Sequence, residues 1–249
     1  MLQIWLYSLI SVMVVSLISL IGALTLVIKI DKLKKVLILF VSFSAGALLG
    51  GAFFHLLPEV VGQIGFGAKT GTLLIGGIFI FFVLEKYIHW RHCHEPDCEE
   101  HPHHLGKMNL VGDGLHNFID GLIIAASYLI SIPLGIAATL AIIFHEIPQE
   151  IADFGVLLHS GFSKAKAIIY NLLSASIALL GVIIGILLGK NNELLTLYIL
   201  PIAAAGFIYI ATADLIPELH KETKMSKSLL QLVSFIIGAF IMYLLTLME

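Results

Sequence analysis

The sequence predicts an all-α integral membrane protein of eight transmembrane helices in a 3+2+3 arrangement, with an inverted repeat and both termini outside. Three observations predict it. The 249-residue chain is 59% hydrophobic and only 12% charged, with a mean hydropathy of +1.00, whereas a soluble domain carries about 25% charged residues. Its apolar stretches recur at the roughly 20-residue length that a helix needs to cross the hydrocarbon. Its basic residues segregate to one side only if there are eight crossings. This composition excludes a soluble enzyme and a disordered chain. A net charge of −3 with 14 Lys and Arg leaves no basic footprint for nucleic acid.

The spans run at 4–28, 36–57, 70–90, 108–130, 133–158, 167–189, 194–219 and 229–248, one transporter-sized domain over 1–249. The first lacks the basic start and small-residue cleavage site of a signal peptide and is read as a retained helix. The second ends in His55-Leu-Leu-Pro58-Glu59, and the third closes with Glu85 and Lys86. The fourth and fifth are separated only by Ser131-Ile132-Pro133, because residues 121–144 carry no charge. The positive-inside rule decides that boundary. With a break there, twelve of the 14 Lys and Arg fall on the cytoplasmic side, and only Lys69 and Lys190 fall outside; with a single span the count is 8 against 6. The sixth span is charge-free, and the seventh ends in Asp214-Leu-Ile-Pro217-Glu218. That ending resembles the end of the second span, and Ala45-Gly46-Ala47 lines up with Ala204-Ala205-Gly206. Helices two and seven cross in opposite directions, so the likeness points to an inverted repeat of helices 1–3 and 6–8 around a central pair. The alternative is chance, because small residues are common where membrane helices touch.

The central pair carries the chemistry. A carboxylate at mid-bilayer costs about 2.5–3.5 kcal/mol on insertion scales. Even so, the fourth and fifth spans hold Asp113, His116, Asn117, Asp120, His145, Glu146, Gln149, Glu150 and Asp153. His116 and Asp120 are four apart and share a helix face, as do His145 and Gln149. Two antiparallel neighbours can turn these faces toward each other, forming a cluster of imidazole, carboxylate and amide groups with no basic side chain, which only a cation makes tolerable. Mixed His and carboxylate ligands suit zinc, iron or manganese, whereas calcium and magnesium prefer all-oxygen sites. Pro148 frees a carbonyl one turn earlier, which suits a helix bent around an ion. Two other readings stand beside this one. A structural polar network is one, though five carboxylates among nine polar positions are many for helix glue. An intramembrane metalloprotease is the other, since His145-Glu146 opens an H-E-x-x-H pattern, but position 149 is Gln. Asp113 and Asp153, farther from the centre, are read as vestibule or accessory groups.

The motifs His116-Asn117-Phe-Ile-Asp120-Gly121 and His145-Glu146-Ile-Pro148-Gln149-Glu150-Ile-Ala-Asp153-Phe154 resemble the paired signatures of the ZIP (Zrt-, Irt-like) zinc and iron permeases. Within that family the likeness is to the branch with H-N-x-x-D-G and H-E-x-P-H-E motifs and a histidine-rich loop, and the chain reads as a prokaryotic-type member. The resemblance implies a two-metal centre. One metal is held by His116, Asp120, His145 and Gln149, the other by Asn117, Asp120, Glu146 and Gln149, with Glu150 just beyond. Gln149 departs from the pattern, where the branch usually has His. Asn171 and Ser174 are candidate further ligands, with helix packing as the plainer role. His55 matches the family's position at the outer mouth. Asp214 and Glu218 are candidate accessory groups along an entry or exit route.

Between the third and fourth spans, at 91–107, the cytoplasmic loop holds five His, two Cys and four carboxylates within thirteen residues. His92, Cys93, His94, Cys98, His101, His103 and His104 make this a metal-capture composition without zinc-finger spacing. The cytoplasm keeps such thiols reduced. The expected function is import of a divalent transition metal into the cytoplasm across the cell membrane. Zinc is expected as substrate rather than cofactor, with Fe2+, Mn2+ and Cd2+ left open, and the expected partners are these ions and the bilayer. A homodimer is left open. The competing classes are a membrane metalloenzyme and a metal sensor that does not transport.

Overall fold

The structure, a computed structural model, describes residues 1–26, 30–92, 102–189 and 193–248. Among the described residues there are helices and no strands. In chain order they are α1 (Leu2–Ile18), α2 (Ile30–Gly50), α3 (Leu57–Ile64), α4 (Ala68–His92), α5 (Pro102–Ile130), α6 (Ile132–His159), α7 (Lys164–Ala175), α8 (Ile177–Gly189), α9 (Glu193–Tyr209), α10 (Ile216–Leu219) and α11 (Met225–Leu245). Helical structure is what a low-dielectric solvent demands, because every backbone polar group must find its partner within the segment. Large apolar side chains lie on the outside, among them Leu6, Ile10, Phe79, Phe82, Leu232 and Phe240. That pattern suits lipid rather than water.

Among the described residues, seven helical stretches are long and apolar enough to cross a membrane: Leu2–Ala23, Val36–Ile64, Ala68–Lys86, Ile132–His159, Lys164–Gly189, Tyr198–Leu219 and Met225–Leu245. The chain is therefore a multi-pass, all-α membrane protein. Helix α5 is 29 residues long, and Asp113, His116, Asn117 and Asp120 dilute its hydropathy. It ends at Ile130 and α6 begins at Ile132, so the turn between them is a single residue. Ser131 caps α6 by accepting the Leu134 N–H at 3.2 Å, and Pro133 occupies its first turn, where a missing N–H costs nothing. This one-residue turn holds α5 and α6 side by side and antiparallel.

The second and seventh spans share a local device. In each, a six-residue π-helical segment, Gly51–Leu56 or Ile210–Leu215, interrupts the helix just before a proline, Pro58 or Pro217. The Leu57 N–H reaches the Ala52 carbonyl, and the Ile216 N–H reaches that of Ala211, five residues back. A proline cannot donate to the carbonyl four residues earlier and its ring crowds it, so a wider turn relieves the clash. The first span is also irregular, passing from α1 into a 3-10 segment at Ser19–Leu26.

Two helix pairs make the closest backbone approaches, and glycine permits both. A Cβ on Gly46 would lie 2.0 Å from the Phe235 carbonyl oxygen, and one on Gly238 would lie 2.1 Å from that of Phe43, where α2 crosses α11. Where α5 crosses α8, a Cβ on Gly121 would lie 2.0 Å from the Ala178 oxygen, and one on Gly181 would lie 2.1 Å from that of Phe118. Small residues let membrane helices approach this closely and gain dispersion contact. These seams anchor a continuous apolar core that includes Leu48, Ala52, Ala141, Ile142, Ala204 and Phe207.

Candidate metal centre

The cluster is assembled from two helical turns of α5 and one of α6. His116 and Asp120, four apart, present one face of α5, and the adjacent His145 and Glu146 meet them from α6. His116 Nε2 lies 3.2 Å from His145 Nε2. It also lies 3.7 Å from Asp120 Oδ2 and 3.5 Å from Glu146 Oε1. His145 Nε2 lies 3.2 Å from Asp120 Oδ2 and 3.5 Å from Glu146 Oε1. All four donor atoms fall within 4.8 Å of one another. Ligands about 2.0–2.1 Å from a tetrahedral zinc stand about 3.3 Å apart, so these separations match the edges of a coordination polyhedron.

Burial sharpens the point. His145 is 1% exposed, Glu146 0% and Asp120 2%, while His116, at 18%, is the member open to a cavity. Among the described residues, Asp120 Oδ2 and both Glu146 oxygens have no hydrogen-bond partner. Buried carboxylate oxygens without donors are strongly unfavourable unless a cation completes them. The tautomer of His145 is set as well. Its Nδ1 lies 3.1 Å from the Ala141 carbonyl oxygen, which can only accept, so Nδ1 carries the proton and the Nε2 lone pair faces the cluster.

Pro148 sits inside α6 without ending it. The Phe144 carbonyl that it deprives of a donor meets the Ser44 hydroxyl of α2, which also lies 2.7 Å from the Phe40 carbonyl. Ser44 thus satisfies the backbone beside His145. Its only trace in the sequence is a hydroxyl in the small-residue run before Ala45-Gly46-Ala47.

The remaining expected site residues occupy three neighbourhoods. Asn117 is fully buried and donates to Asp113, at 3.1 Å to its carbonyl and 2.9 Å to Oδ1. Gln149 lies outside the four-atom group, and its amide nitrogen points to Asp113 Oδ1 at 3.5 Å. Glu150 is turned away, accepting from Asn171 of α7, whose amide also donates to the Ser19 carbonyl at 3.3 Å. Ser174 donates to the Leu110 carbonyl at 3.0 Å, a packing contact between helices. Asp153 accepts from Asn109 at 3.0 Å, a partner the sequence reading passed over although it lies one turn before Asp113 on the same face. His55 is buried in the first π segment and donates from Nε2 to the Met242 carbonyl at 2.7 Å.

A cavity of about 910 Å³ begins at His116 and His145 and passes Asp113, Gln149 and Asp153. It reaches Asp214, Glu218 and Lys221. Glu218 and Lys221 pair with each other at its exposed end, 53% and 70% accessible. Tyr209 on its wall donates to Glu85 across the gap between α9 and α4. Of the loop residues, Cys93, His94, Cys98 and His101 lie outside the described residues. His92 ends α4, and His103 and His104 fall in the first turn of α5, which begins six residues before the expected span.

Fold and cluster together define a class: a multi-pass α-helical membrane protein whose buried histidine–carboxylate group has the dimensions of a metal site. Within that class the chain belongs to the ZIP zinc transporter family, whose model, described as ZIP Zinc transporter, matches residues 2–107 and 103–246. The chain is similar to zinc transporter zipt-7.1 of Caenorhabditis briggsae, at 31% identity over all of this chain and 80% of that protein. It is 35% identical to zinc transporter ZIP13 of Pongo abelii, over 83% of this chain and 66% of that one. It is 28% identical to metal cation symporter ZIP14 of Xenopus tropicalis, over 98% and 70%. Family membership makes divalent-metal transport the general activity.

Proposed function

We propose that this chain carries zinc, or a closely similar divalent transition metal, into the cytoplasm through a midplane site on α5 and α6. The carrying observation is the quartet of His116, Asp120, His145 and Glu146, whose donor atoms stand 3.2–3.7 Å apart at every measured edge. Two neutral imidazoles and two carboxylates neutralise a divalent ion, and the nitrogen pair favours zinc over calcium or magnesium. Asn117 and Gln149 supply neighbouring amide groups for a second ion that shares Asp120, and Glu150 lies one turn farther. The zinc-transporter names of the relatives support a carrier over a metalloenzyme or a sensor.

We read α5 as a crossing too, the fourth in chain order, which brings the total to eight, with both termini outside and the cell membrane as the location. The matched π segments before Pro58 and Pro217 support the inverted repeat. The charge bias assigns Lys221 and the cavity mouth to the cytoplasmic side. On that assignment the site communicates with the cytoplasm, while Phe207, Ala141 and Ala52 close it from the outside.

Purified protein in sealed liposomes, with a zinc-sensitive dye inside, tests this reading. Zinc should enter, Fe2+, Mn2+ and Cd2+ should compete in an order that defines selectivity, and Asp120→Ala should stop entry. Tight zinc binding with no movement of ion would favour the sensor. On intact cells a membrane-impermeant thiol reagent should miss Cys93 and Cys98; rapid labelling of either would reverse the orientation.

A further inference from the structure

The geometry points to a further cation site, distinct from the ions held through Asp120 and built only from oxygen, on the cytoplasmic side of the histidine cluster: Asp113 and Asp153 take up the divalent ion after it leaves the imidazoles. This inference rests on the carrier reading above.

Below the quartet, α5 and α6 make two more cross-links, each joining an amide to a carboxylate. Asn109 and Asp113 are one turn apart on α5, and Gln149 and Asp153 are one turn apart on α6. Asn109 Nδ2 donates to Asp153 Oδ1 at 3.0 Å, and Gln149 Nε2 points to Asp113 Oδ1 at 3.5 Å. The pairing is crossed, so each helix contributes one amide and one acid. Asn117 adds a donation to the same Asp113 oxygen at 2.9 Å.

The amides therefore orient the acids through one oxygen each and leave the other oxygen without a partner. Asp113 Oδ2 and Asp153 Oδ2 are both buried, with no hydrogen bond among the described residues. Asp113 is only 5% exposed yet lines the cavity, as do Asp153, Asn109 and Gln149. Ser174 approaches Asp113, but its one proton goes to the Leu110 carbonyl at 3.0 Å. A buried acid beside a cavity, with one oxygen left without a donor, calls for a cation.

Chemistry separates this site from the one above it. Carboxylate oxygens without imidazole favour harder cations and hold zinc less strongly than a mixed nitrogen–oxygen cage. Asp113 lies three residues from His116, about 4.5 Å along the helix, within one short step of an ion. A weaker site beside a stronger one gives the ion somewhere to go, which a carrier needs because tight binding alone would trap it.

The test uses the full-length chain in detergent with Mn2+ as the probe, read by electron paramagnetic resonance. In His116→Ala/His145→Ala a Mn2+ site should persist, and adding Asp153→Asn should weaken it by about tenfold or more. Asp153→Glu should restore it. Loop sites are common to all these chains and cancel in the comparison. Asp153→Asn alone should leave zinc affinity at the histidine cluster unchanged while slowing zinc delivery into liposomes. Identical Mn2+ isotherms with and without Asp153, repeated for Asp113→Asn, would overturn the inference even if zinc uptake proceeds. A chain that shows the Mn2+ difference but moves no zinc would keep the site and overturn the carrier reading on which its role depends.

Discussion

The two halves of the bundle on either side of His145 are built from opposite materials. Toward Phe207 the interior is sealed: its ring meets the His145 ring edge-on at 6.2 Å, and Leu48, Ala52, Ala141 and Ala204 are at most 1% exposed. Toward Asp153 the same helices part around a cavity of about 910 Å³ lined by Asp113, Gln149, Asp214 and Glu218. The difference teaches how a low-dielectric protein handles an ion. Apolar close packing makes one side impassable, because a bare cation there has no ligand. Carboxylates and amides on the other side offer oxygen atoms that match an ion's hydration. The histidine cluster marks the boundary between these two regimes.

The largest expected effect comes from breaking the boundary itself. Asp120 contacts both imidazoles of the quartet, so Asp120→Ala should lower zinc affinity by at least about a hundredfold and reduce uptake to background. A competition titration with a chelator and liposome uptake measure the two. A smaller effect contrasts the packed and open sides. Gly121→Val places a side chain against the Ala178 carbonyl, 2.0 Å from its Cβ, and should cost about 1–3 kcal/mol. Ala213→Val, on the exposed cavity wall, should change stability by no more than about 0.5 kcal/mol. Thermal unfolding in detergent compares them, and equal losses would mean the two halves are packed alike.

The smallest effect sharpens the boundary. Gln149→His adds an imidazole next to Asp113 and should raise zinc affinity severalfold while narrowing the range of accepted metals. Imidazole binds metal only when neutral, so protons compete increasingly as pH falls through about 6.5. Zinc binding by the variant should therefore weaken more steeply with acidification than that of the parent chain. Parallel pH profiles would show that position 149 stays engaged with Asp113 and does not reach the ion.

The central pair and its cluster were legible in the sequence; the sealed and open sides were not. Ser131-Ile132-Pro133 marks the turn between α5 and α6 because a cap and a proline have local causes, and the four-residue spacing of His116 and Asp120 fixes their common face. The resemblance to the ZIP signatures carried the family. Less visible were features decided by contacts between distant segments. Residues 4–28 read as one uniform apolar run, yet α1 gives way to a 3-10 segment at Ser19, where Asn171 reaches the backbone. Hydropathy is blind to that choice. Ser44, Asn109 and the turning of Gln149 toward Asp113 depend on which helix lies opposite. The π segments follow from proline at a position where the helix continues in spite of it, and proline alone does not distinguish a kink, a bulge and a stop.

The most direct test of the central claim is zinc K-edge X-ray absorption on Cys93→Ser/Cys98→Ser protein loaded with one equivalent of zinc. The account predicts nitrogen and oxygen neighbours at about 2.0–2.1 Å, with the outer-shell scattering of two imidazoles that falls to one in an added His145→Ala. An imidazole signal that His145→Ala and His116→Ala leave unchanged would contradict it, since the tightest zinc would then lie outside the α5–α6 cluster.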